Sequence, residues 1–119
     1  MNATILEWLE RLAASETPGT DIVAYNIGIF ETERGYCAYL TGARHFDPDD
    51  DDWAVAAEFA PAERFLVLDR QPLQWQQVLA LFVAALRQFL TQAIGRSSFL
   101  GRAAAVTVGF DGGDLVRVA

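Results

Sequence analysis

Residues 74–93 constrain the fold more than any other segment. Trp75, Val78, Leu79, Phe82, Leu86, Phe89, Leu90 and Ala93 recur at helical spacing, a stripe about five turns long at ~3.6 residues per turn. The centre, residues 78–86, is apolar nearly all round. A helix of that kind must be covered on more than one side, by a sheet and by something else. At nine residues, the apolar run is too short to cross a bilayer.

The sheet is foreshadowed by a change of period. In residues 23–29, Val23, Tyr25, Ile27 and Ile29 fall on one face and Ala24, Asn26 and Gly28 on the other. A turn over 31–35 and a second strand over 36–41 complete an antiparallel hairpin. Residues 64–69 form a short apolar third strand ended by Pro72, and residues 104–110 alternate again. The run Asp111-Gly112-Gly113-Asp114 predicts a two-residue hairpin turn into a last strand over 115–118. At the N-terminus, Ile5, Trp8, Leu9 and Leu12 mark a first helix. Thr4 and Glu7 have capping-box spacing, with Asn2 the other candidate cap. The order is α-β-β-β-α-β-β. The expectation is a single α+β domain over residues 1–119, an antiparallel sheet of about five strands with two main helices packed on it.

Between the second and third strands the chain changes character. Residues 47–52 hold five aspartates, too dense a charge for a strand ladder, so residues 42–52 read as a loop, with a helical turn somewhere in 53–59. The whole chain has sixteen acidic residues, nine basic ones (all arginine) and a net charge of −7; without Asp47 and Asp49, Asp50, Asp51 and Asp52 the charge would be −2. Most of the protein's field therefore comes from one loop. Such a balance argues against a nucleic-acid binder, which needs clustered positive charge. It favours a partner that is itself basic. Trp53, beside the run, is either an aromatic anchor for that partner or the residue that pins the loop to the core. His45 can pair with a neighbouring aspartate.

Chemistry of other kinds finds little footing. Asp47, Asp49, Asp51 and Glu58 match positions 1, 3, 5 and 12 of a calcium loop, with the Trp53 carbonyl at position 7. Position 6, however, is Asp52 rather than glycine, and no helix leads in. The single cysteine, Cys37, lies in mid-strand, where burial would leave its thiol inert, and the lone His45 has no spacing that supports a dyad with it. Neither a phosphate-binding glycine loop nor zinc spacing is present. The expectation is a protein without enzymatic activity, cofactor or resident metal, with a calcium-binding acidic loop as an alternative. No signal peptide is legible, which points to the cytoplasm.

The stretch YLTGARHFDPDDDDWAVAAEF (residues 39–59) and the C-terminal VGFDGGDLVRV resemble a family of small bacterial immunity proteins found beside polymorphic or contact-dependent toxins. The matched positions are Asp47, Asp49 to Asp52, Trp53 and the turn 111–114. The resemblance implies an inhibitor that binds a cognate toxin and blocks its active site. The partner surface expected on this chain comprises His45, Asp47, Asp49, Asp50, Asp51, Asp52, Trp53 and Glu58. Size, acidity and element order are also similar to small secretion chaperones. That likeness implies an effector-binding homodimer with helix 74–93 as the seam, although such chaperones carry a terminal helix where this sequence ends at Ala119.

Overall fold

The computed structural model describes residues 1–69 and 72–119. Three helices and five strands follow one another as α1 (Asn2–Ser15), β1 (Ala24–Thr32), β2 (Gly35–Ala43), a 3-10 turn (Asp51–Val55), β3 (Phe65–Asp69), α2 (Trp75–Thr91), α3 (Ala93–Ser97), β4 (Ala105–Phe110) and β5 (Val116–Arg117). The α+β class holds. The strands form one sheet in the order β3-β2-β1-β4-β5.

That sheet is mixed rather than antiparallel. β1 pairs β2 in a tight hairpin closed at Thr32↔Gly35, β2 pairs β3 and β4 pairs β5, all antiparallel. β1 and β4, however, run parallel, from Ala24↔Ala105 to Ile29↔Phe110. The cause is the crossover. β3 runs in the direction of β1, α2 carries the chain back, and β4 then starts from the same end as β1.

The periodicities sort the side chains. Tyr25, Ile27 and Ile29 of β1, Ala38 and Leu40 of β2, Leu66 and Leu68 of β3, and Val106 and Val108 of β4 share one face. On this face Ile5, Trp8, Leu9 and Leu12 of α1 pack together with Val78, Phe82, Ala85, Leu86 and Phe89 of α2. The all-round apolar centre of α2 is thus explained, because the helix lies on the sheet and against α1 at once. Ala80 and Ala84 are its exposed residues there, while Trp75 at its start is 46% exposed.

Local details depart from expectation. Neither Thr4 nor Asn2 caps α1; the helix starts a turn earlier, with Met1 at the cap position and its carbonyl accepting from the Ile5 N–H at 3.1 Å. At the start of α2 the Gln74 N–H donates to the Gln77 side chain at 2.8 Å. α2 stops at Thr91 rather than reaching Ala93, and α3 sets off from Gln92 with Gly95 pressed against the Phe89 carbonyl, where no Cβ would fit. The turn after β4 is not a two-residue hairpin. The ladder resumes at Val108↔Val116, and of the two glycines only Gly112 takes positive φ, at 78°. No described helix is long and apolar enough to cross a membrane.

Candidate functional site

The second face of the sheet is built from the intervening residues: Ala24, Asn26, Gly28 and Phe30 of β1, Cys37, Tyr39, Thr41 and Ala43 of β2, Phe65 and Val67 of β3, and Thr107 and Gly109 of β4. No helix covers it. One corner is covered by the acidic loop, which leaves β2 at Ala43 and returns where Gly42 bridges Phe59.

The loop is a built object. Asp47 accepts the Asp49 N–H on its own carboxylate at 2.9 Å, and Asp50 does the same for Asp52, so two aspartates form Asx turns. The second of these caps the 3-10 turn. Trp53 is 2% exposed and packs on Ala24, Ala43 and Ala105, with Phe46 edge-on at 5.2 Å. The Arg117 guanidinium lies over the Phe46 ring, and the Thr41 hydroxyl donates to the Ala54 carbonyl. Small alanines on the strands leave room for the indole. Of the two roles open to Trp53, its packing fits the residue that pins the loop to the core, because so little of it reaches solvent.

Glu58 and His45 are also placed differently from expectation. Glu58 accepts the Arg44 N–H at 2.8 Å and lies 3.7 Å from the Arg44 guanidinium, which in turn pairs with Asp21. His45 reaches Glu58 at 4.0 Å rather than an aspartate. Glu58 is thus held at the loop's closure by its own arginine. The calcium pattern fails for the same reason: among the described residues no group of three or more potential ligands is placed to hold a metal. Asp52, where the motif needs positive φ, lies in the 3-10 turn and is not among the positive-φ residues. Asp47, Asp49, Asp51 and Glu58 match the spacing and not the geometry.

What remains is charge without compensation. Among the described residues none of Asp47, Asp49, Asp50, Asp51 and Asp52 makes an ion pair, and all are exposed. Beside them a cleft of about 360 Å3 opens over the uncovered sheet, lined among others by Asn26, Tyr39, Asp51, Val55, Asp111 and Leu115. It brings together the acidic run and the turn 111–114, two segments far apart in sequence. Gly28 and Gly109 face each other in register in this part of the sheet. The Tyr39 ring lies on Gly28 where a Cβ would collide, and the Tyr39 hydroxyl donates to Asp111 Oδ1 at 2.5 Å. Burial, and then the Asp111 carboxylate, raise the Tyr39 pKa, so the phenol stays protonated and keeps donating. Asn26 and Thr107, both buried, are joined by a 2.8 Å hydrogen bond from the threonine hydroxyl to Asn26 Oδ1.

Asn26 and Tyr39 were not singled out by sequence reasoning, and Asp111 was read only as part of the turn 111–114. The signal was the size contrast along β1, where Ala24, Asn26 and Gly28 alternate with large apolar residues. A strand face of small residues is one that something else approaches closely. Cys37 does lie in mid-strand as expected, and burial pushes its thiol pKa up, away from nucleophile behaviour. Comparison with known proteins finds no matching family model, no matching curated protein and no matching solved structure.

Proposed function

We propose that this is a non-catalytic, cytoplasmic binding module that grips a basic protein surface through its acidic loop, in the manner of an immunity protein occluding a cognate toxin. One observation carries the reading. Five carboxylates without ion pairs stand on a loop that is held by a buried tryptophan and two Asx turns. Like charges at this density repel, and a fold that builds a rigid platform for them keeps a field ready for an oppositely charged partner. Pre-organisation lowers the entropy cost of docking, and the localised field speeds encounter.

The contact surface on this reading is Asp47, Asp49, Asp50, Asp51 and Asp52, with Asp111 and Asp114 of the neighbouring turn, rather than Trp53 or Glu58. A toxin that acts on nucleic acid or nucleotides carries the basic cleft such a surface would fill. The homodimer through residues 74–93 has less to support it, since Val78, Phe82, Leu86 and Phe89 of α2 are engaged with the sheet and α1, and Trp75 is its one exposed large apolar residue among the described residues. The test is titration against the product of a toxin-like reading frame adjacent to the gene. Affinity should fall roughly 10- to 100-fold when Asp47 and Asp49–Asp52 become asparagine, and it should weaken with salt. Unchanged affinity in the five-fold variant overturns the reading.

A further inference from the structure

The sheet ends on one side at β3, and the hairpin fixes which way that strand's backbone points. Its two-residue turn makes Thr32 and Gly35 a hydrogen-bonded pair, so Gly35, Cys37 and Tyr39 bond to β1. Tyr36 and Ala38 then bond to Leu68 and Leu66 of β3. The same parity holds at Gly42, whose N–H donates to the Phe59 carbonyl at 2.9 Å on the side away from β1. The N–H and C=O of Phe65 and Val67 therefore face outward, and among the described residues no backbone bond from a loop or another strand reaches them. Their side chains are exposed as well, by 47% and 59%. The opposite edge, β5, is two residues long and too short to template a strand. At the start of β3 the Arg64 guanidinium lies over the Phe65 ring, 5.5 Å from its centroid, and makes no ion pair among the described residues.

We infer that β3 pairs with β3 of a second copy of this chain, antiparallel about a two-fold axis at Val67, joining two five-stranded sheets into one. Backbone parity permits an axis at Val67 or at Leu66, and charge decides between them. An axis at Leu66 sets Glu63 opposite the second copy's Asp69, two like charges. An axis at Val67 sets Phe65, with Arg64 stacked on it, opposite that aspartate. Asp69 already interacts within its own chain, and a carboxylate has lone pairs for a second donor. Each β3 thus carries a cation at one end and an anion at the other, which antiparallel self-pairing matches twice. The exposed Phe65 and Val67 of both copies then join in one apolar stripe on the open face. This edge is separate from the acidic loop, which leaves β2 at Ala43, and the inference does not depend on that loop's partner. Five residues a side make a small interface, so the dimer is weak, with a Kd of roughly 0.1 mM.

Sedimentation equilibrium of the full chain should show its mass rising from monomer at roughly 10 μM towards dimer at roughly 1 mM. Over the same range, hydrogen exchange at the Phe65 and Val67 amides should slow at least about threefold, and at Leu66 and Leu68 much less, since those already bond to β2. Val67→Lys sets two like charges opposite each other on the axis and should weaken dimerisation at least about tenfold. Arg64→Glu and Asp69→Arg should each weaken it about threefold, and the two together should restore it. A chain that is still monomeric at the upper concentration overturns the proposal. So does a dimer that Val67→Lys leaves intact while the two amides exchange as before, which puts the contact elsewhere, residues 74–93 included. A dimer lost in Val67→Lys but indifferent to both charge changes overturns the register centred on Val67.

Discussion

The two faces of the sheet were made by the same five strands and ended in opposite states. On one face, Ile27, Ile29, Leu40, Val106 and Val108 lie under α1 and α2 and are fully or almost fully buried. On the other, the corner under Trp53 is closed, while Phe65 and Val67 are 47% and 59% exposed. The exposed carboxylates of the acidic loop and the exposed Phe65 and Val67 all lie where no core exists. The lesson is a division of labour: stability is assembled on the helical side, which frees the open side to keep unpaired carboxylates and apolar surface for a partner.

The largest effect that separates the faces is truncation. Phe82 is fully buried between the sheet and α1, and Phe82→Ala should cost about 3–5 kcal/mol in urea-induced unfolding, through lost burial and the cavity left behind. Val67→Ala on the open face should cost no more than ~0.5 kcal/mol. A comparable cost at Val67 would mean that the open face is covered in solution and that the contrast between the faces is false.

Alkaline pH offers a smaller contrast, because each face carries a tyrosine that resists ionisation. Tyr25 packs against Phe99 and Phe59 on the helical side, and its burial moves the pKa from 10.0 to about 12. The folded value lies above the unfolded one, so this contribution is complete below pH 10 and is lost as the pH rises towards 12. Its size is on the order of 2 kcal/mol. Tyr39 shifts in the same direction on the open side, by burial and the Asp111 bond. Spectrophotometric titration of Tyr39→Phe and Tyr25→Phe should each remove one late-titrating phenol. If Tyr39 titrates like a free tyrosine, its bond to Asp111 is absent in solution.

The sequence spoke clearly where one pattern had one meaning. The 3.6-residue stripe of residues 74–93 and the alternation in β1 and β4 each describe a single element against a single core, and both faces of β1 were sorted correctly apart from Val23, which precedes the strand and packs with the Trp53 cluster. It was silent where two distant segments had to be related. Nothing in the alternation of β4 states that its neighbour is β1 or that the two run parallel, because direction is set by the crossover through α2. The calcium spacing was a weak signal because a dense aspartate run matches part of any carboxylate pattern, and in the structure Arg44 holds Glu58. Trp53 was legible as important, but which way it faced depended on three alanines from three strands. The cleft was hidden for the same reason, since Asn26, Asp51 and Asp111 come from three elements.

The smallest effect is the most pointed, because its sign is opposite for folding and for binding. Asp49, Asp51 and Asp52 make no side-chain bond in the loop, whereas Asp47 and Asp50 hold its turns. Replacing the first three by asparagine leaves the turns intact and removes three mutually repelling charges. The free protein should then gain ~0.5 kcal/mol or less of stability at low salt. The gain should shrink as added salt screens exposed charges. In the same variant, affinity for a basic partner should fall. A surface kept at a small cost in stability is one kept for contact. Chemical denaturation at low and high salt reads the sign directly, and a clear loss of stability on neutralisation would make these carboxylates structural, placing the loop with the core rather than with the open face.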